Sequence, residues 1–151
     1  MRVVFITAAL ILASCQNEVL INSSQIVGDA IPAPLTSQAG NLENGKALFT
    51  AREQGHCVLC HQVIGLDAEF QGNIGPSLNG IADRLTAGQM RLRIADYDRV
   101  KPGTTMPPYY RLRGLNQVSK NHTGMPVLSA QDIEDIIAYL STLTLETDDG
   151  L

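Results

Sequence analysis

The sequence predicts an all-α fold, and three observations carry that prediction. A C-terminal stretch sets Ile133, Ile136, Ile137, Leu140 and Leu143 on a 3.6-residue period, the mark of a helix with one apolar face. Thr86 and Ser129 stand as capping residues before helical segments, their side-chain oxygens suited to take up free backbone N–H groups. No segment shows the apolar–polar alternation of a half-buried strand. At 151 residues the chain makes one domain with short extensions. A net charge of −4 excludes a generally basic nucleic-acid binder. With 44% hydrophobic and 17% charged residues it is neither disordered nor a membrane bundle. It has three Phe, four Tyr and no Trp, which is thin aromatic filling for a core of this size.

Residues 1–15 read as an export signal. Arg2 is followed by an apolar run over 3–13, too short for a bilayer span but the length of a signal's apolar region. Two readings of its end stand. Leu12-Ala13-Ser14-Cys15 resembles the lipobox of bacterial lipoproteins, in which Cys15 is acylated and anchors the mature protein to a membrane. Alternatively, Ala13-Ser14-Cys15 is a small-x-small cleavage triplet, and Cys15 is lost. Residues 16–40 read as a tether or N-terminal arm. As a random coil their 25 residues would span about 25–30 Å, yet Ile26, Val27 and Ile31 are apolar enough to lie on a surface, the protein's own or a partner's.

A domain over 41–145 follows. A short helix over 41–52 sets Gly45, Leu48 and Phe49 to one side. Next comes Cys57-Val58-Leu59-Cys60-His61, the C-x-x-C-H pattern of covalent haem attachment. Two thiols three positions apart share one turn and can add to the two vinyl groups of a porphyrin, which holds the adjacent histidine under the iron. A zinc site would need a second Cys/His pair at ligand spacing, and the sequence has none. One motif means one haem, and so large an apolar group answers the aromatic shortage. His56 reads as a surface or propionate-side residue. A third helix runs over about 87–95 after Thr86, and the acidic tail occupies 146–151.

The sixth iron ligand has three candidates. Met106 lies in Lys101-Pro102-Gly103-Thr104-Thr105-Met106-Pro107-Pro108-Tyr109-Tyr110, a loop by its turn residues and long enough to cross the distal face. Met125 and His122 are the others; Met90, mid-helix, reads as core filling. Between 84 and 120 stand eight basic residues against Asp96 and Asp98. That asymmetry suits docking of an acidic partner, or equally propionate neutralisation with a solvated face.

Several segments resemble known proteins. Gly45 and Phe49 opposite Ile136 and Tyr139 look like the helix crossing of class I cytochromes c. Gly75-Pro76-Ser77-Leu78 is similar to their G-P-x-L, which implies that the Pro76 carbonyl accepts a bond from His61 Nδ1. Together with the haem motif, Met106-Pro107-Pro108-Tyr109-Tyr110-Arg111, residues 128–135 and the arm Gly28-Asp29-Ala30-Ile31-Pro32 resemble the X subunit of the SoxAX sulfur-oxidation cytochrome over about residues 28–144. The resemblance implies a class I cytochrome c fold around one covalent haem. Cys57 and Cys60 would hold the haem, with His61 and Met106 as axial ligands. It further implies a periplasmic electron-transfer subunit, itself without catalytic residues, paired with a SoxA-like cytochrome. That enzyme couples thiosulfate oxidatively to a carrier-protein cysteine, and electrons pass to a downstream acceptor. Two other functions fit the motifs: an independent electron shuttle, and an enzyme or sensor whose sixth position opens to a small ligand.

Overall fold

The structure is a computed structural model that describes residues 20–145. Four helices carry the described residues: α1 (Leu42–Thr50), α2 (Ile81–Arg84), α3 (Ala87–Asp96) and α4 (Ala130–Leu140), with short 3₁₀ turns at Ser23–Gln25, Cys57–Leu59, Tyr97–Arg99 and Lys120–His122. No strand occurs among the described residues beyond one isolated bridge between Val27 and Ala30. None of their helices is long and apolar enough to cross a membrane.

Local chemistry starts each long helix. The Asn41 side chain accepts from the Asn44 N–H before α1. Reciprocal capping boxes join Thr86 with Gln89 before α3 and Ser129 with Asp132 before α4. Each box satisfies two otherwise orphaned backbone donors. α4 ends at Leu140, three residues short of the apolar period's last member. Leu143 instead accepts from the Ala82 N–H at 3.1 Å, tying the chain's end to α2.

α1 and α4 cross as the sequence suggests. Phe49 meets Tyr139 edge to face, centroids 5.4 Å apart and planes at 63°. Leu48, Phe49, Ile133, Ile136 and Ile137 are buried there, and Met90 is core filling in α3.

Residues 20–40 touch the domain at several points. Ile21 and Ile31 are buried. Arg91 and Glu134 form a buried bidentate pair, 2.7 and 2.8 Å. Arg91 Nη1 also donates to the Ile31 carbonyl at 2.6 Å, and Glu134 Oε1 accepts from the Leu35 N–H at 2.9 Å. The arm's backbone thereby satisfies the remaining capacity of a buried ion pair, the condition under which such a pair is tolerated. Cys15 and the 146–151 tail lie outside the described residues.

Candidate functional site

The 3₁₀ turn Cys57–Leu59 is entered through His56 in a left-handed conformation (φ 45°, ψ 38°), an uncommon geometry outside glycine. The turn continues as Cys60 N–H and His61 N–H both donate to the Cys57 carbonyl, at 3.1 and 2.9 Å. Two thiols and an imidazole therefore follow one another around a single tight coil.

Residues 72–79 are laced alongside. Gly72 N–H donates to the Val58 carbonyl and Gly75 N–H to the Cys60 carbonyl, both at 2.8 Å; Leu78 N–H donates to the Gln62 carbonyl at 2.9 Å. This lacing delivers the Pro76 carbonyl to His61 Nδ1 at 2.7 Å. A carbonyl can only accept, so Nδ1 carries the proton and Nε2 keeps its lone pair for a metal. Gly75 lies flat against the imidazole: a β-carbon there would overlap the ring. The motif showed Gly75 in the sequence, but only the packing shows why it must lack a side chain.

Burial pushes the Cys57 thiol up to about 12, the neighbouring Cys60 adding to it. Burial also raises the Tyr109 hydroxyl, with further contributions from Cys57 and Cys60, and the Tyr139 hydroxyl, with a contribution from Cys57. Tyr109 belongs to the loop that follows Met106. Its path is fixed by Tyr109 and Tyr110 N–H donating to the Ile94 and Ala95 carbonyls at 3.4 and 3.0 Å, and by Leu128 N–H donating to the Tyr109 carbonyl at 3.1 Å. Met106 itself is half-buried. Met125 is 57% exposed and lines a cavity of about 200 Å³ with His122, Leu115 and Val118. A second cavity, about 150 Å³, is lined by Ile21, Asp96, Arg99 and Tyr110. Neither is lined by Cys57, Cys60 or His61, so the site is recognised by its donor set. A pair of half-buried thiols one turn apart, a tautomer-locked imidazole and a glycine cradle fit a covalently held haem.

Part of the basic excess over 84–120 is matched by acids elsewhere in the chain. Arg91 pairs with Glu134, Arg93 with Asp29, and Arg99 and Arg111 with Asp96. Arg84 donates to the Ser77 carbonyl at 3.0 Å. Glu134 and Asp29 lie outside the segment, so a local charge count overstates the free positive charge.

A family model described as cytochrome c matches residues 42–144. The chain belongs to the cytochrome c family. As a cytochrome c it carries a covalently bound haem c and transfers electrons. The cytochrome is 39% identical to a chain in the crystal structure of SoxXA from P. pantotrophus, covering 78% of its own length and 92% of that chain with a TM-score of 0.73. The resemblance to the X subunit and the class I cytochrome fold expected from sequence are thus borne out. It is also similar to the c-type cytochrome SorU from Sinorhizobium meliloti, at 23% identity over 69% of this chain and 91% of that one, TM-score 0.45. Among curated proteins, none matches the chain.

Proposed function

We propose that this cytochrome is the electron-accepting subunit of a heterodimeric thiosulfate-oxidising enzyme. One observation supports the reading above others: the 39% identity runs through 92% of a chain of SoxXA, a two-component assembly by its name. In this reading Cys57 and Cys60 hold the haem through thioethers, His61 Nε2 is the proximal ligand and Met106 Sδ the distal one. The bound haem supplies a one-electron couple. The chain's own residues set its environment. Pro76 orients the imidazole and raises its basicity. A neutral thioether favours the reduced state.

The chemistry of the partner is the coupling of thiosulfate to a carrier-protein cysteine. The new S–S bond forms with loss of the thiol proton and two electrons, which leave singly through this subunit to a downstream acceptor. Export, with Cys15 as an acylated anchor, belongs to the same proposal.

Co-expression of the full chain with its second cytochrome subunit tests it. The two should co-purify, and thiosulfate with carrier protein should reduce this haem only when both are present. A monomer that never co-purifies and reduces a terminal oxidase directly would establish the independent shuttle instead.

A further inference from the structure

The loop from Gly103 to Arg111 carries Met106 between two anchored ends, and its middle is held by little. Pro107 and Pro108 have no N–H to give. The Thr104 and Met106 N–H groups reach only local acceptors, the Lys101 carbonyl and Thr104 Oγ1, each at 3.2 Å. At the first end, Gly103 N–H donates to Asp98 Oδ1 at 2.9 Å. At the second, Tyr110 N–H is bonded to the Ala95 carbonyl, and Arg111 Nη1 donates to Asp96 Oδ1 at 3.0 Å. The same Nη1 lies 3.6 Å from Asp98 Oδ2. One carboxylate, Asp98, therefore faces both ends of the loop.

Asp96 and Asp98 have different tasks here. Asp96 is buried, and its second oxygen accepts from Arg99 Nε at 3.1 Å, so it fixes Arg111 to the end of α3. Asp98 stands half in solvent on the 3₁₀ turn Tyr97–Arg99 that follows α3. Among the described residues, it alone receives Gly103 and also faces Arg111, so it alone joins the two ends. Hydrogen bonds to an ionised acceptor are the stronger ones. Arg111 keeps this orientation although its Nε is buried without a partner, an arrangement that opposes folding unless other bonds outweigh it. A loop closed at both ends has lost its conformational entropy before its side chain meets a ligand site. Released at one end, it regains that entropy, and an external base can then compete with the thioether.

We propose that Asp98 is a positioning residue: by closing the loop 103–111 on itself, it keeps Met106 in its distal place and the sixth position shut to external ligands. The inference rests on the reading of Met106 as the distal ligand given above. Opening is a ligand exchange, in which an incoming base replaces the thioether and no electron moves.

The test titrates imidazole, a neutral base, into the full-length ferric holo-cytochrome and follows the absorption spectrum. Asp98→Ala should bind imidazole about tenfold more tightly than wild type, the scale of one hydrogen bond to a charged group. Asp98→Asn keeps an oxygen for the Gly103 N–H and gives up the charge facing Arg111, so its affinity should fall between the two. Asp29→Ala removes an ion pair of the same kind, to Arg93 at 2.9 Å, from a place outside the loop. It should change imidazole affinity less than about twofold. Wild-type affinity in Asp98→Ala overturns the clamp. Equal gains in Asp98→Ala and Asp29→Ala also overturn it, since the effect is then a general loosening. Where Asp98→Ala takes up no haem, Asp98→Asn decides by the same criteria. A sulfur-to-iron charge-transfer band lost in Met125→Ala and kept in Met106→Ala overturns the distal-ligand reading instead.

Discussion

Gly45 of α1 rests directly on the backbone carbonyl of Asp135 in α4: a β-carbon at Gly45 would overlap that oxygen. The contact is backbone against backbone, so no side-chain rotation can relieve it. Alanine has the higher helix propensity, by about 1 kcal/mol. Gly45→Ala should nevertheless destabilise the holoprotein by about 1–3 kcal/mol, the range for overpacking. Denaturant unfolding checks this. A stabilised variant would mean the helices do not cross here.

Gly75→Ala should disturb His61 without touching the core. The added methyl displaces the imidazole and lengthens its bond to the Pro76 carbonyl. A less basic imidazole favours the oxidised iron less, so the reduction potential should rise. Potentiometric titration reads the change. An unaltered potential and spectrum would show that the cradle has no hold on the ligand.

Met106→Ala should abolish the sulfur-to-iron charge-transfer band of the ferric protein, and Met125→Ala should leave it. Met106 is half-buried, whereas Met125 stands mostly in solvent. The reverse pattern would assign the distal position to Met125.

Asp135 ties α4 to the start of α1. Burial pushes its carboxyl up, but the Asn41 N–H and the amides of Asn44 and Gln131 more than offset this, holding it below the ordinary 3.8. A folded-state value below the unfolded one adds stability above that pH and loses it as pH falls through the folded value. Stability should therefore drop on acidification below about pH 4, and Asp135→Asn should flatten that drop. Equal slopes in the two proteins would remove Asp135 from the acid transition.

Glu134→Ala leaves Arg91 as an uncompensated buried charge and also strips the Leu35 N–H of its acceptor. A loss of about 3–5 kcal/mol is expected, and limited proteolysis should open new cleavage within residues 20–40. An arm that stays protected would show that Ile21 and Ile31 hold it unaided.

What the sequence made legible was chemistry that acts over short range. The haem motif, the Ser129 and Thr86 caps and the apolar face of α4 all speak through neighbours within a turn or two. α2 escaped notice because four residues carry no period. The arm was legible only in part: Ile31 stood out as apolar, but Ile21 is buried alone, ten residues away, with no repeat to announce it, and Val27 is exposed. The arginines misled because their partners are remote. Arg91 finds Glu134 43 positions away and Arg93 finds Asp29 64 positions away, so counting charge in a window saw donors without acceptors. Tyr109 was visible in its motif, but the path of its loop depends on the backbone bonds to Ile94 and Leu128.

The fastening of the arm changes what an acyl group on Cys15 would do. With the chain held to the domain from Leu20 onward, five residue steps separate it from Cys15, a span of at most about 17–18 Å. The lipid would act as a rivet rather than a leash, pressing the haem domain against the headgroups in one orientation. Any redox partner would then have to reach the bilayer surface to exchange electrons, and encounter would proceed in two dimensions.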